Sequence, residues 1–473
     1  MALFPFVGGS YDVRSPSFDA QRTINLYPEG SESKTSRTPA MLVGTPGLAL
    51  WASVASQGVR GVIVFSDAVS VWVIGNSVYK ATTSAALTVI GTGIGGTGPV
   101  SMASNGTMIM LVTGPAGFFI DPNAGTTTAI VDPDFAGADT VDFADGYFVF
   151  NKLGTGQFQI TQLYGTDIDA LDFATAEGSP DNIVSVIVDH REVWLLGRVS
   201  TEVWINIGDI DFPFARISGA FIETGCAAAH SVAKMDNSIF WLANDDRGFG
   251  TIQRAAGYTP QRVSNHAVEY AIGKYSRIDD AVAYTYTQEG HSFYVISFPT
   301  AQATWALDVS NGEWHERAYR NTSTGLYERH RSNCQANFAG ETLVGDWENG
   351  NIYKMRLDTY TDNGDPLRSE RICPHIAGEG KLASHYMLEI FMQPGVGLEA
   401  GDNPQAMLQW SDDAGSTWSN EHWTGVGKLG EYKTRLRWRR LGRSRDRIYR
   451  WAMTDPVKRV ITGANLVLRE GKS

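Results

Sequence analysis

Cysteine is scarce in this chain: Cys226, Cys334 and Cys373 are the only three in 473 residues. They are far apart, odd in number and form no CxxC, which excludes a disulfide scaffold, a zinc knuckle and a redox dithiol and leaves reduced packing residues as the expectation. Long apolar runs are missing too. No stretch approaches the roughly 18 to 20 apolar residues of a membrane-spanning helix. The opening MALFPFVGGSYDVR carries neither a basic leader nor a full hydrophobic signal region, so passage through a secretion pathway is not expected. Few segments sustain a 3.6-residue period, which excludes a helical protein. Charge is sparse and leans acidic, with a formal net charge of -12, which argues against broad coating of nucleic acid but leaves room for a local contact.

Glycine and aromatic residues are abundant, at 50 Gly, 13 Trp, 18 Tyr and 21 Phe, as suits many short strands joined by tight turns. Between about residue 65 and residue 345 one event recurs seven times, a polar turn followed by an aromatic-rich strand. The turns fall at Asp67, Asn105, Asp145, Asp189, Asp236, Glu289 and Gly340, and successive units are 38 to 53 residues apart. A second strand follows each unit, at Val78, Gly117, Phe158, Val203, Thr251, Thr304 and Asn351. Each block has room for about four antiparallel strands, the size of one propeller blade. A blade cannot bury both faces alone, so radial packing on its neighbours supplies the missing contact. The expected fold is all-β, a seven-bladed β-propeller with an extended N-terminal arm and a C-terminal β-domain; a long β-sandwich, or two, is the competing architecture.

The boundaries follow from composition. Residues 1–45 are polar and turn-rich in NLYPEGSESKTSRTP and are read as an extended arm, crossing its own propeller or a neighbouring subunit, or else as a terminal strand that closes the ring. The propeller is placed at 46–362, where TDNGDPLRSERICPH then breaks the repeat, and a C-terminal β-domain for assembly contacts at 363–473.

Signals for chemistry are weak. Ser411, Asp413, Gly415, Thr417 and Trp418 spell S-x-D-x-G-x-T-W, the Asp-box turn, in which the carboxylate accepts from the turn backbone, the glycine relieves crowding and the tryptophan anchors the hairpin. A retaining glycosidase needs two carboxylates about 5 Å apart; Asp189, Glu192, Glu202 and Asp236 are available, but nothing selects a pair. GTGIGGTGP at 91–99 lacks the lysine and the βαβ setting of a phosphate loop and is read as an inter-strand loop. His190, His230, His266, His291 and His330 are scattered, and no HExxH occurs. Neither a catalytic residue, a cofactor nor a metal is assigned.

One electrostatic feature stands out. Residues 433–450 hold nine basic side chains against the single acid Asp446. Alternation in TRLRWRR puts Arg435, Arg437 and Arg439 on one face and Leu436 and Trp438 on the other. Three readings stay open for that face: an acidic protein surface, DNA passing nearby, or a solvated and self-paired charge face.

TINLYPE (Thr23 to Glu29), GTPGL (Gly44 to Leu48), the seven repeats and the basic C-terminal region together resemble the packaged-DNA stabilisation proteins of Salmonella-type short-tailed phages, also called tail accessory or head-closure proteins. The resemblance implies a non-enzymatic component of the virion tail, present in the host cytoplasm before assembly. It implies a hexameric hub beneath the portal-adaptor ring that closes the head, stabilises packaged double-stranded DNA, and offers attachment for the tail needle and tailspikes. A receptor-binding or glycan-binding tail protein is the other reading.

Overall fold

The computed structural model describes residues 2–33, 35–36, 38–244, 250–377, 380–398 and 402–471. Six four-stranded antiparallel units lie between residues 59 and 316, and a seventh combines Ser332–Phe338, Glu341–Asp346 and Asn351–Arg356 with Gly47–Ser53. Gly47–Ser53 pairs antiparallel with Asn351–Arg356, from Gly47 opposite Arg356 to Ser53 opposite Asn351, so an early strand completes the last blade and closes the ring.

Each recurring turn joins the first and second strands of a blade. In five of them, Asp145–Gly146, His190–Arg191, Asp236–Asn237, Glu289–Gly290 and Ala339–Gly340, both turn residues have positive φ. That is the turn twist that matches two right-twisted strands, and it explains the polar and glycine signature. The second strand is buried on both faces. In blade 4, Val193 and Leu195 pack towards blade 3 while Trp194 and Leu196 pack towards blade 5. The same division recurs around the ring, giving seven apolar cores, one between each neighbouring pair of blades.

The C-terminal domain is a sandwich of two sheets. One runs Leu26–Gly30, Ala40–Gly44, Val460–Glu470, Ala383–Met392, Leu436–Arg439; the other contains Ser369–Ile372, Asp446–Met453, Gln405–Ser411 and His422–Gly425. Leu388, Ile390, Leu408, Trp438 and Trp451 fill the space between them, together with Phe4 and Phe6. Residues 1–45, expected as an extended arm, run in the described part as short strands folded onto their own chain. Ala2–Phe4 and Ala40–Gly44 add to Val460–Glu470, and Ala20–Ile24 pairs with Ser369–Ile372 while Ile24 bridges to Glu316 of blade 6. Met1, Lys34 and Arg37 of that segment lie outside the described residues.

The segment TINLYPE is the joint between the two domains. Asn25, at φ 53°, donates from Nδ2 to the carbonyls of Ala318 and Arg368, both at 2.8 Å, and accepts from the Ala318 amide at 3.0 Å. One side chain thus ties blade 6 to the sandwich. Tyr27 lies edge-on to Phe293 of blade 6 at 5.3 Å. Arg371, fully buried, donates to the carbonyls of Phe6 and Gly9 and to Thr23 Oγ1 and Gln21 Oε1, so its charge is solvated by the N-terminal segment. In GTPGL, a Cβ on Gly47 would stand 2.5 Å from the Thr359 carbonyl oxygen, which requires glycine there.

Candidate assembly interface

Leu436–Arg439 lies at the end of the first sandwich sheet and pairs with Ala383–Met392, with Arg437 opposite Glu389 and Trp438 opposite Leu388. Its alternation is the expected one: Leu436 and Trp438 are buried, and Trp438 Nε1 donates to the His422 carbonyl at 2.8 Å. Charges on an exposed strand edge also discourage edge-to-edge pairing with other chains.

Arg435, Arg437 and Arg439 part company. Arg435 grips Glu389 through two bonds of 2.5 and 2.6 Å, and Arg437 adds a third at 3.1 Å, so two arginines serve one carboxylate that is 2% exposed. Without them Glu389 would be a buried, uncompensated anion. Arg439 is exposed, and among the described residues neither it nor Lys433, Arg440 or Arg443 has a carboxylate within ion-pair distance. Further along, Arg447 is buried against Asp412 at 2.6 and 2.8 Å, and Arg450 bonds Gln409 and lies 4.1 Å over the Trp418 ring. Arg445 donates to the Gly380 carbonyl. Five of the nine basic residues are therefore tied to groups of their own chain, and the outward charge is concentrated at Lys433, Arg439, Arg440 and Arg443.

The loop between His422–Gly425 and Leu436–Arg439 exposes Leu429 and Tyr432 against Gly397 and Gly395, at the other end of Ala383–Met392 from Arg439 and Arg443, which stand at Met387 and Ser384, and Trp423 is exposed on the second sheet. Sequence reasoning missed Trp423 and Tyr432, because nothing in a linear string separates an outward aromatic from the many that fill blades.

The Asp-box turn joins Gln405–Ser411 to His422–Gly425. Asp413 accepts from the Thr417 amide at 2.8 Å and hydroxyl at 2.6 Å, and from Ser411 Oγ at 2.6 Å, while the Gly415 amide donates to Ser411 Oγ at 2.8 Å. The Ser411 bond, with the Thr417 bonds, holds the Asp413 carboxyl down at about 2. Gly415 has φ 93°, and Trp418 is the ring under Arg450.

The four carboxylates weighed for catalysis each serve their own surroundings. Asp189 accepts from His190, Glu192 from the Tyr258 hydroxyl, Glu202 from the Gly178 amide and Trp204 Nε1, and Asp236 from Arg254. Among the described residues no cluster of three or more His, Cys, Asp or Glu is arranged to hold a metal. The glycine-rich loop has the opposite polarity to a phosphate cradle. Its carbonyls at Ile94, Gly95 and Gly98 accept from the guanidinium of Arg60, so it wraps a cation of its own chain.

Two family models match the chain. One, described as bacteriophage P22 Gp10, beta-propeller, covers residues 2–360, and the other, bacteriophage P22 Gp10, beta-sandwich, covers 368–469. No curated protein sequence matches. Among solved structures, PorZ of Porphyromonas gingivalis is 11% identical with a TM-score of 0.38, covering 71% of this chain and 44% of its own. An S. cerevisiae Dbp5 complex with Nup159 and Gle1 is 11% identical with a TM-score of 0.42, covering 69% and 98%. The computationally designed Ika8 protein is 12% identical with a TM-score of 0.35, covering 65% and 99%. Likenesses this distant bear on neither the function nor the partners of the chain.

Proposed function

Since the chain belongs to the bacteriophage P22 Gp10 family, a family of phage tail structural proteins, we propose that it acts without catalysis as the hub that closes the phage head. In this reading six copies assemble as a ring beneath the portal-adaptor complex, stabilise the packaged DNA, and present surfaces to the tail needle and tailspikes. The observation that carries it is the match of both family models over nearly the whole chain, and the sandwich edge adds a surface to offer, where Arg439, Arg440 and Arg443 stand exposed with no carboxylate within ion-pair distance among the described residues. Exposed arginines without internal partners suit a partner surface of acidic character. Repeating each contact around a ring makes individually modest attachments hard to lose together.

The joint built by TINLYPE also supports the reading. A hub has to pass load between partners held by different domains, and Asn25 ties the end of blade 6 to the sandwich through buried hydrogen bonds while Arg371 fastens the N-terminal segment to the sandwich. The test is mass determination and electron microscopy of the purified protein, alone and mixed with the portal-adaptor assembly. A sixfold collar on that assembly is the expected result. A protein that stays unbound and instead recognises host-surface glycans belongs to the receptor-binding class.

A further inference from the structure

Opposite charges gather at opposite ends of this molecule. Residues 131–182 hold ten acidic side chains and one basic, Lys152. Three of the ten are committed, Asp142 to Lys234, Asp145 to Arg191, and Asp181 to the amides of Val199 and Ser200. Asp132, Asp134, Asp169, Asp172 and Glu177 have no cation within ion-pair distance among the described residues. They collect on the outer side of blade 3. Its outer strand, Ile168–Thr175, pairs Ile168 with Thr161 and then Phe173 with Gln159, so residues 169–172 bulge outward. The Ala170 amide donates to Asp134 Oδ2 at 3.2 Å, which draws residues 131–134 onto the bulge. Burial, with Asp169 beside it, raises the Asp172 carboxyl above its usual value, a sign of like charges crowded together. From blade 4, Phe212 packs on Phe158 of blade 3 at 5.7 Å and brings the loop carrying Ile210 alongside. Ile210, Val131 and Leu171 are 98%, 90% and 80% exposed. Aliphatic side chains this bare, set within an acidic rim, mark a surface that another protein covers.

The basic counterpart is the far end of the sandwich. Both sandwich sheets start from blade 6, one where Tyr27 of Leu26–Gly30 meets Phe293, the other where Ile24 bridges to Glu316, and Asp362 pairs with Leu48 of blade 7. Leu436–Arg439 is the last strand of the first sheet, so Arg439, Arg440 and Arg443 stand at its end away from the propeller. Exposed Tyr386 stands with them, its carbonyl accepting from the Arg440 amide at 2.9 Å. In a ring of seven, blade 3 is three steps from blade 6 and three from blade 7, which puts the acidic flank on the side away from the sandwich. The two surfaces cannot meet within one chain.

We propose that copies of this chain join head to tail, the sandwich tip of one, with Arg439, Arg440 and Arg443, lying against the blade 3 flank of the next, at Asp169, Asp172 and Glu177. Each surface has the charge and the exposed apolar side chains that the other lacks a partner for, and a second copy brings both. The joint is heterologous: one patch meets a different one, so every pair leaves a free tip and a free flank, and the chain of contacts ends only when it closes as a ring. This names the lateral partner within the hub reading and rests on that reading for ring closure, though not for the contact itself.

Analytical ultracentrifugation of the full-length protein at low salt, up to about 0.5 mM, tests the joint. Self-association that fades by about 0.5 M salt is expected. One variant carries Arg439→Glu, Arg440→Glu and Arg443→Glu, and a second carries Asp169→Lys, Asp172→Lys and Glu177→Lys. Each alone should associate at least about tenfold more weakly, because like charges then face each other. Mixed in equal amounts the two should associate again, since every tip then meets a flank of opposite sign on the other variant. If the reversed flank does not fold, Asp169→Asn, Asp172→Asn and Glu177→Gln keep the shapes and should also weaken association. The inference falls if the parent stays monomeric, if altering either surface leaves association intact, or if the mixture of reversed variants does not restore it. Binding to the portal-adaptor assembly, measured in parallel, separates the joint from the hub reading. A normal collar built by both reversed variants overturns the joint and leaves the hub, whereas head-to-tail association without portal-adaptor binding overturns the hub and leaves the joint.

Discussion

Asn25 adopts a left-handed backbone that asparagine tolerates better than other side chains, and it holds three backbone groups of two domains. Asn25→Ala should destabilise the protein by about 3 to 5 kcal/mol, from unpaired buried groups and backbone strain, with Asn25→Gly recovering only the strain; denaturant unfolding followed by fluorescence checks it. Asp362 is a second residue with a definite expectation. It is 1% exposed, neither carboxylate oxygen has a partner among the described residues, and burial pushes it up to about 7 despite the nearby Arg317, Arg331 and Arg459. The raised value means that the folded state keeps the proton after the unfolded chain has lost it. Stability from this group is complete below pH 4, declines as pH rises, and is gone above about 7. Asp362→Asn should therefore raise the melting temperature at pH 8 and leave it nearly unchanged at pH 4, measured by scanning calorimetry. Little of this was legible beforehand. TINLYPE was noticeable as a string, but its work at the domain joint depends on partners some 300 residues away, Ala318 and Arg368.

Among the elements, the second and third strands of every blade could be read from the sequence. Both faces of those strands are buried between neighbouring blades, so they are written as continuous apolar and aromatic runs. The outer strands were invisible for the opposite reason: Thr126–Ala129 reads TTTA and Thr259–Arg262 reads TPQR, each largely exposed. An early strand that closes the ring was open as a reading of residues 1–45, but the strand that does so, Gly47–Ser53, and its pairing with residues 351–356 were hidden by distance. In the basic strand the alternation was legible and the commitment of Arg435 and Arg437 to Glu389 was not, because Glu389 lies on another strand. The closing strand gives a prediction at this scale. A fragment of residues 46–362 should unfold cooperatively, whereas one starting at residue 55 leaves blade 7 with three strands and exposes its core. The difference in melting temperature should be roughly 10 °C or more, by circular dichroism, given lost ladder bonds and the loss of buried Leu48 from the core it shares with Val344, Tyr353 and Met355.

For the whole molecule, the decisive variable is which charges face outward. Reversing Arg439, Arg440 and Arg443 to glutamate should weaken attachment to the portal-adaptor assembly and flatten its salt dependence, while stability shifts by less than about 1 kcal/mol because these side chains have no ion pair among the described residues. Reversing Arg435 and Arg437 should instead destabilise the sandwich, by stranding Glu389. Binding titrations at two ionic strengths, set beside melting curves, separate the two effects. The strand that closes the ring also has a bearing on synthesis. Gly47–Ser53 leaves the ribosome about 300 residues ahead of Asn351–Arg356, a wait of roughly 15 to 60 s at ordinary elongation rates. During that interval six blades can form in order while an apolar strand trails unpaired, so nascent chains of this protein are most in need of chaperones just before the seventh blade emerges, and the ring snaps shut in a single late event.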